Sequence, residues 1–560
     1  MGNGEYAELV FTGGAVYTMD AIRSWAEAVA VRDGRIAAVG PERDVRELIG
    51  PGTEVVDLHG RMLLPGFQDA HVHAAGGGME RTQCDLAEAH GRDDYLRIVA
   101  AYAERAPRAE WILGGGWSMD VFPRGVPSKE DLDRVVPDRP VFLSNRDHHA
   151  AWVNSRALEL AGIDAATPDP ADGRIERDAR GDPVGTLQEG AMALVERLVP
   201  RLTVEDQVRG ILEGQRYLHA LGITAWQEAI VGDYPVTPDC YDAYLAADRG
   251  GRLTGRVVGA LWWERGRGEG QIDRILERRE RAGADGRFRA TSVKIMQDGV
   301  CENGTASMLF PYLDGHGHET TNAGASFFDP QELKGFVARI DREGFQAHFH
   351  AIGDRAVREA LDAVEAARRA NGSSDHRHHV SHIQVVHPED LPRFRALNVT
   401  ANGQPLWACN DPQMTELTVP FLGPERSSWQ YPFGSLVRSG ATLCFGSDWP
   451  VSSPNPLWEM HVAVNRTVPP GYPYAGEERG GEALLPRERV DLPTAIAAFT
   501  IGSAYVNHLE RETGSIEPGK RADLAVLDRN LFAHPATEIG LAEVDLTLVD
   551  GRAVFDRGAV

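Results

Sequence analysis

Pro65-Gly66-Phe67-Gln68-Asp69-Ala70-His71-Val72-His73 is a short apolar lead-in that ends in two histidines separated by one residue. In an extended strand successive side chains alternate between faces, so His71 and His73 share one face and Val72 takes the other. Two neutral imidazoles converging at a strand end are good ligands for zinc or iron. Asp69 is placed to orient one ring through its second nitrogen. HxH alone is a weak pattern, and the Pro-Gly and apolar run before it raise its weight.

Working outward, the same appearance recurs: a short apolar run closes on polar residues and is followed by a helical pattern. Leu63-His73, Gly222-Glu228, Arg256-Trp263, Thr291-Asp298, Phe345-Gly353, His379-Val385, Val399-Gln404 and Ala441-Asp448 make eight such runs. Eight is the number that closes a parallel barrel, so the reading is an α/β chain built on a (β/α)8 TIM barrel over 63–511. Asp329-Pro330-Gln331-Glu332 is a helix start, with Leu333, Phe336, Val337 and Ile340 as its packing face. Thr203-Val204-Glu205-Asp206 starts another helix in a similar way. The connection from about 84 to 202 is far longer than an ordinary βα loop, so an inserted subdomain is expected there, supplying part of the substrate pocket. Short β segments with Gly, Pro and Asp turns occupy 1–62 and 512–560, and these two ends are expected to build one small β-sandwich that the barrel interrupts.

Composition narrows the function classes. At 560 residues, 42% hydrophobic and 25% charged, the chain reads as an ordinary globular protein. A net charge of -24 without a basic stripe argues against a nucleic-acid partner. Cys84, Cys240, Cys301, Cys409 and Cys444 are scattered and form no CxxC pair, which fits a reducing, cytoplasmic setting better than a disulfide framework. No stretch is long and apolar enough to span a bilayer, so no membrane partner is expected. A homodimer is left open.

Further candidates come from strand ends. His350 in Ala347-His348-Phe349-His350-Ala351, His382 in Val380-Ser381-His382 and Asp448 in Gly446-Ser447-Asp448 close the fifth, sixth and last strands. Each histidine alone is more often a satisfied core residue, and the ordered set is hard to explain by chance. His316 and His318 form a second HxH in a glycine-rich run and read as a solvated loop. His376, His378 and His379 read as decorating the approach to a strand. Trp117, Tyr312, Trp407, Trp429 and Trp449 fall in loops or at strand ends, suggesting a pocket for an apolar substituent.

On these residues the chain resembles the amidohydrolase superfamily and, more narrowly, its N-substituted formamide deformylase-like branch. The resemblance rests on the HxH segment, Val293-Lys294-Ile295-Met296-Gln297-Asp298-Gly299, His350-Ala351-Ile352-Gly353-Asp354-Arg355-Ala356 and Gly446-Ser447-Asp448-Trp449-Pro450-Val451. Asp147-His148-His149-Ala150-Ala151-Trp152-Val153-Asn154-Ser155 and Gly514-Ser515-Ile516-Glu517-Pro518-Gly519-Lys520-Arg521-Ala522-Asp523-Leu524 extend it over nearly the whole chain. It implies a divalent cation, zinc by preference, bound by His71 and His73, with His350 and His382 holding a second ion or helping a single one. Lys294 would bridge two ions as a carbamate formed with carbon dioxide, against a bare-residue reading as an ion pair with Asp298. Asp448 would be the ligand that orients the attacking water and carries its proton to the leaving amine, with His382 beside it in catalysis. Trp117, His149, Asp298, Tyr312 and Trp407 would contact the small-molecule substrate, His148 making the assignment of His149 ambiguous.

The implied reaction is hydrolysis of an amide or formamide carbon-nitrogen bond through a metal-activated water. An ester or lactone hydrolase on the same site and a non-catalytic metal-binding relative are the alternatives. A serine hydrolase lacks its G-x-S-x-G elbow, a zincin its H-E-x-x-H, and a dinucleotide fold its glycine spacing.

Overall fold

The fold is described by a computed structural model covering residues 6–559 except 88, 90, 147, 149, 171–172, 235–237, 303 and 473–480. The chain divides into two compact units, one of Met1–His73, Gln215–Gly232 and Ala247–Val560 and the other of Ala74–Gly214 and Asp233–Ala246.

The first unit is organised around an eight-stranded parallel sheet. Its strands are β1 (Phe67–Val72), β2 (Ile223–Val231), β3 (Arg256–Trp262), β4 (Phe288–Met296), β5 (Gln346–Ala351), β6 (His379–His382), β7 (Thr400–Gly403) and β8 (Leu443–Phe445). Each pairs with the next in sequence order, as a (β/α)8 barrel requires, and all eight expected strands are present. Between β4 and β5, helix α1 (Pro330–Arg342) begins where Asp329 accepts from the Gln331 and Glu332 amides. It buries Leu333, Val337 and Ile340, so the cap and the face read from sequence both form. Helix α2 (Asp354–Asn371) follows β5 and buries an alanine-rich face, Ala356, Ala360, Ala363 and Ala367 among it.

The barrel closes between β1 and β8. The Asp448 amide donates to His71 O at 2.8 Å and the His73 amide to Trp449 O at 2.8 Å. Beneath them the Asp69 carboxylate accepts from the amide of Ser447 at 3.1 Å and from its hydroxyl at 2.6 Å. The first and last strands are thus stitched together at the level of the HxH histidines.

Both chain ends meet in a β-sandwich. A six-stranded sheet joins Ala15–Tyr17, Trp25–Ala26 and Met62–Pro65 to Leu524–Leu527, Val544–Val549 and Arg552–Asp556. A four-stranded sheet of Leu9–Thr12, Ala28–Arg32, Arg35–Gly40 and Glu54–Asp57 packs on it. Phe11, Val29, Val31, Leu63, Leu524 and Leu548 fill the space between them. The run Leu63-His73 is therefore not one barrel strand, because Met62–Pro65 pairs with Leu524–Leu527 and only Phe67 onward pairs with β2. The changeover falls at Gly66, whose amide donates to Asp523 O at 2.8 Å. A Cβ there would lie 2.4 Å from Thr224 Cγ2.

The second unit carries a six-stranded mixed sheet. Tyr95, Val99, Trp117, Leu132, Leu143 and Trp152 form the centre of its own hydrophobic core.

Gly446 tests the closure. A Cβ at this position would stand 2.4 Å from His71 N and 2.9 Å from Asp69 Oδ1, so Gly446→Ala forces β8 away from β1. The variant is expected to lose roughly 1–3 kcal/mol of stability, the usual cost of overpacking, as read by urea unfolding of metal-free protein. A midpoint equal to that of the unsubstituted chain would show that the seam tolerates separation.

Candidate metal centre

The alternation of β1 brings Asp69, His71 and His73 to one face, and the seam sets that face against Asp448. His73 Nε2 lies 3.0 Å and His71 Nε2 3.3 Å from Asp448 Oδ1. These three residues offer ligand atoms all within 4.8 Å of one another. His71 is 1% exposed and Asp448 6% exposed, so the cluster is closed off except along His73. Burial would raise the Asp448 carboxyl, yet the neighbouring His71 and His73 rings outweigh it and hold the group well below the usual carboxylate range.

His382 and His350 complete the ring of imidazoles. The His382 ring centre is 4.8 Å from that of His71 and 4.4 Å from that of His350, and its Nδ1 is 4.0 Å from Asp448 Oδ2. Simple alternation along β6 would turn His382 away from the face that Ser381 presents. A positive φ of 78° at His382 re-aims the residue, so Ser381 and His382 both reach the same cluster. His350 Nε2 is 3.2 Å from Gly299 O. A carbonyl only accepts, so this nitrogen carries the proton and Nδ1 keeps the lone pair. Burial keeps His71 and His350 neutral, pushing each down to about 3.

The donor set fits a cation. Among the described residues the buried His382 Nδ1 makes no hydrogen bond, and buried Asp448 Oδ1 faces only the ring nitrogens of His71 and His73, a costly state unless something else satisfies these atoms. Neutral imidazoles and a carboxylate facing one another are what a borderline divalent metal takes.

Lys294 lies on β4, buried, with Nζ 3.4 Å from His71 Nε2. Burial lowers its ammonium to about 7, against the pull of Asp448. The ion pair with Asp298 does not form, because Asp298 is committed elsewhere. Its oxygens accept from the amides of Ser307 at 2.9 Å, Ile352 at 3.0 Å and Gly353 at 2.8 Å. Asp298 is therefore an anchor joining the ends of β4 and β5, its Oδ1 also 3.5 Å from His350 Nε2.

The remaining expectations divide. Trp407 does border the site, stacked nearly parallel on His382 at 5.4 Å with its indole nitrogen donating to Ser452 Oγ. Tyr312 is buried among Cys301, Met308 and Ile352 and spends its hydroxyl on Ala306 O at 2.8 Å, so it packs a loop. Trp117 is fully buried in the core of the second unit, its Nε1 donating to Leu143 O, and has no face left for a substrate. His149 lies outside the described residues, while its neighbour His148 pairs with Glu80 at 3.2 Å. His316 and His318 sit in an exposed loop around Asp314, as read. Asp69 differs from its reading: it receives the His71 main-chain amide and Ser447, and no histidine ring.

Two histidines were missed. His348 faces the barrel interior two residues below His350, and its Nε2 is 2.8 Å from His71 Nδ1 and 2.9 Å from Ser381 Oγ. His379 is wholly buried with its ring centre 4.0 Å from that of His348, not at the approach to a strand. The period-2 spacing that linked His71 to His73 also links His348 to His350 and would have found the first of them.

His376 and His378 instead converge on Asp341 at the end of α1, at 2.8 and 3.1 Å. This second histidine-carboxylate group is unsuited to a metal. His378 Nδ1 accepts the Ala347 amide, so Nε2 must hold the ring's one proton and donates it to Asp341.

Imidazole pairs and a terminal carboxylate at the C-terminal mouth of a parallel barrel define a metal-dependent hydrolase of the (β/α)8 class. The amidohydrolase family model matches residues 54–555, and the chain belongs to that family. Protein LONG AFTER FAR-RED 3 of Arabidopsis thaliana is 32% identical over 99% of this chain and 92% of its own length. The N-substituted formamide deformylase of Arthrobacter pascens is 30% identical over 98% of each. An uncharacterized metal-dependent hydrolase from Pyrococcus furiosus superposes with a TM-score of 0.71 at 27% identity, covering 93% of this chain and 99% of that one. Among the described residues no helix is long and apolar enough to cross a membrane.

The Asp341 group makes a pH prediction. Burial would raise this carboxyl, but donation from His376, His378, Asn371 and Ser374 prevails and holds it well below the usual range. The unfolded chain therefore binds the proton first, so the group contributes stability above about pH 4 that is lost as pH falls toward its depressed folded value. Between pH 5 and pH 3 the urea midpoint of the unsubstituted protein is expected to fall more steeply than that of Asp341→Asn. Parallel slopes would contradict the assignment.

Proposed function

We propose that this chain hydrolyses a carbon-nitrogen bond of a small molecule, an amide or formamide, at a divalent-metal site made by His71, His73, His350, His382 and Asp448. The observation that carries the reading is the meeting of β1 and β8, which sets the buried His71 ring and the partly exposed His73 ring 3.3 and 3.0 Å from one buried carboxylate oxygen of Asp448. Near-full-length similarity to an N-substituted formamide deformylase supports the choice of bond. Imidazole nitrogen and carboxylate oxygen favour zinc, as one ion or two.

When bound, the cation supplies Lewis acidity, polarising a carbonyl oxygen and lowering the pKa of a water to about 7. The chain does the rest. His71 presents a fixed lone pair, because its ring is buried and its Nδ1 is held from below, and His73 joins it from the open side. Asp448 receives a proton from the attacking water and returns it to the amine nitrogen as the carbon-nitrogen bond breaks, so the products are a carboxylic acid and an amine. Trp407 walls the site beside His382 and offers a π face to an apolar substituent.

Lys294 forms the second part of the proposal. A charged ammonium 3.4 Å from His71 Nε2 would oppose a cation held there, so the residue is neutral or carboxylated. Burial favours the neutral amine that carbon dioxide needs, and a carbamate formed there with loss of a proton would give Lys294 oxygen donors for the cation.

Asp448→Asn is expected to lower turnover by about 10²–10⁴, the range for a lost general acid-base group, while zinc remains bound by the histidines. Unchanged turnover would refute the proton role, and a panel of amides, formamides, esters and lactones ranked by kcat/KM tests the bond. Elemental analysis is expected to find less zinc in Lys294→Ala than in the unsubstituted protein. Equal contents would count against a bridging carbamate.

A further inference from the structure

Beneath the proposed ligands lies a layer of polar side chains that the reaction does not use. Register rows set Lys294 on β4 beside His348 on β5 and His379 on β6, with His350 beside Ser381 in the next row. His348, His379 and Ser381 are each fully buried. Desolvating three such groups in a barrel core is costly, and leucine or valine would fill the volume without that cost. The geometry around His71 supplies a reason for them.

His71 has one ring nitrogen on each side of the layer boundary. Nε2 looks up, 3.3 Å from Asp448 Oδ1 and 3.4 Å from Lys294 Nζ. Nδ1 looks down, 2.8 Å from His348 Nε2 and 2.9 Å from Ser381 Oγ, and those two atoms are themselves 2.9 Å apart. A neutral imidazole carries a single N–H. If that proton sits on Nε2, the ring cannot ligate at the upper side; if it sits on Nδ1, it needs an acceptor in a place that excludes water. The Ser381 hydroxyl oxygen, 2.9 Å away, is such an acceptor, and its own proton can pass to His348 Nε2, leaving the one proton of the His348 ring on Nδ1.

We propose that His348 and Ser381 are positioning residues for His71: the Ser381 oxygen accepts its Nδ1 proton while the Ser381 hydroxyl donates to the bare Nε2 of His348, and together they hold the imidazole in the tautomer whose bare Nε2 faces Asp448 and the cation. The inference rests on the metal-site reading above. The same strands deliver ligand and support together, since Ser381 precedes His382 on β6 and His348 lies one alternation below His350 on β5. Partners of this kind typically change metal affinity by about 10–100-fold when removed.

The test is zinc affinity by competition with a chromophoric chelator, on full-length protein stripped of metal and reloaded, with thermal unfolding of the stripped protein as the control for folding. Gln places a polar group close to the position of the histidine Nε2, whereas Leu fills similar space without one. His348→Leu combined with Ser381→Ala is expected to weaken zinc binding by about 10–100-fold, and His348→Gln by no more than about threefold. Ser381→Ala alone, a minimal truncation, is expected to fall between them. Unaltered affinity in the double variant overturns the proposal, as does an equal loss in His348→Gln and His348→Leu, which would mark a packing role. An unsubstituted chain that takes up no zinc overturns the metal-site reading itself and this inference with it.

Discussion

The structure depends on how a sheet of eight parallel strands finds its last partner. Seven neighbouring pairs are joined by strand ladders, and the eighth junction is made differently. Two main-chain bonds cross it, and the Asp69 carboxylate on β1 takes the amide and hydroxyl of Ser447 beside β8. That carboxyl is fully buried, and burial pushes it up to about 7 despite the donors it accepts. The barrel therefore carries an electrostatic cost at its closing point. The benefit is geometric, since the same contact brings His71 and His73 up against Asp448.

The site and the closure are thus one feature seen from two sides. Moving β8 by an ångström would open the barrel and also separate the carboxylate from the imidazoles, which explains the glycine at 446, where even a methyl group collides with His71. The remaining parts follow from this arrangement. Positive φ at His382 and Asp448 re-aims side chains that strict alternation would have turned away. Asp298 ties the end of β4 to the end of β5 by accepting the Ile352 and Gly353 amides, fixing the approach of His350, and takes a third amide from Ser307. His348 and Ser381 occupy the layer below and meet the nitrogen of His71 that the mouth does not use.

Much of this was legible from residue order. The eight strand-forming runs, the helix start at Asp329 and the meeting of the two ends in one sheet depend on local propensity and period, which act over a few residues. The histidine pair on β1 was legible for the same reason. The roles of Asp69, Asp298, Tyr312 and Trp117 were not, because each depends on which partner occupies the space beside it. Asp298 looks available to a ligand in sequence, and three backbone amides, one from its own loop and two from the end of β5, take it up. Trp117 looks like a pocket aromatic and is enclosed by Phe122 and Trp152.

By itself the order of residues determined that a parallel barrel forms and that imidazoles and one carboxylate end several of its strands, because alternation and capping are properties of short segments. Only the tertiary structure decided which nitrogen of each ring faces the centre, which acids are consumed by backbone amides and which histidines lie in the layer beneath. Those outcomes are set by contacts between residues hundreds of positions apart, such as His71 with His348 and Asp69 with Ser447, and such contacts exist only once the cylinder has closed.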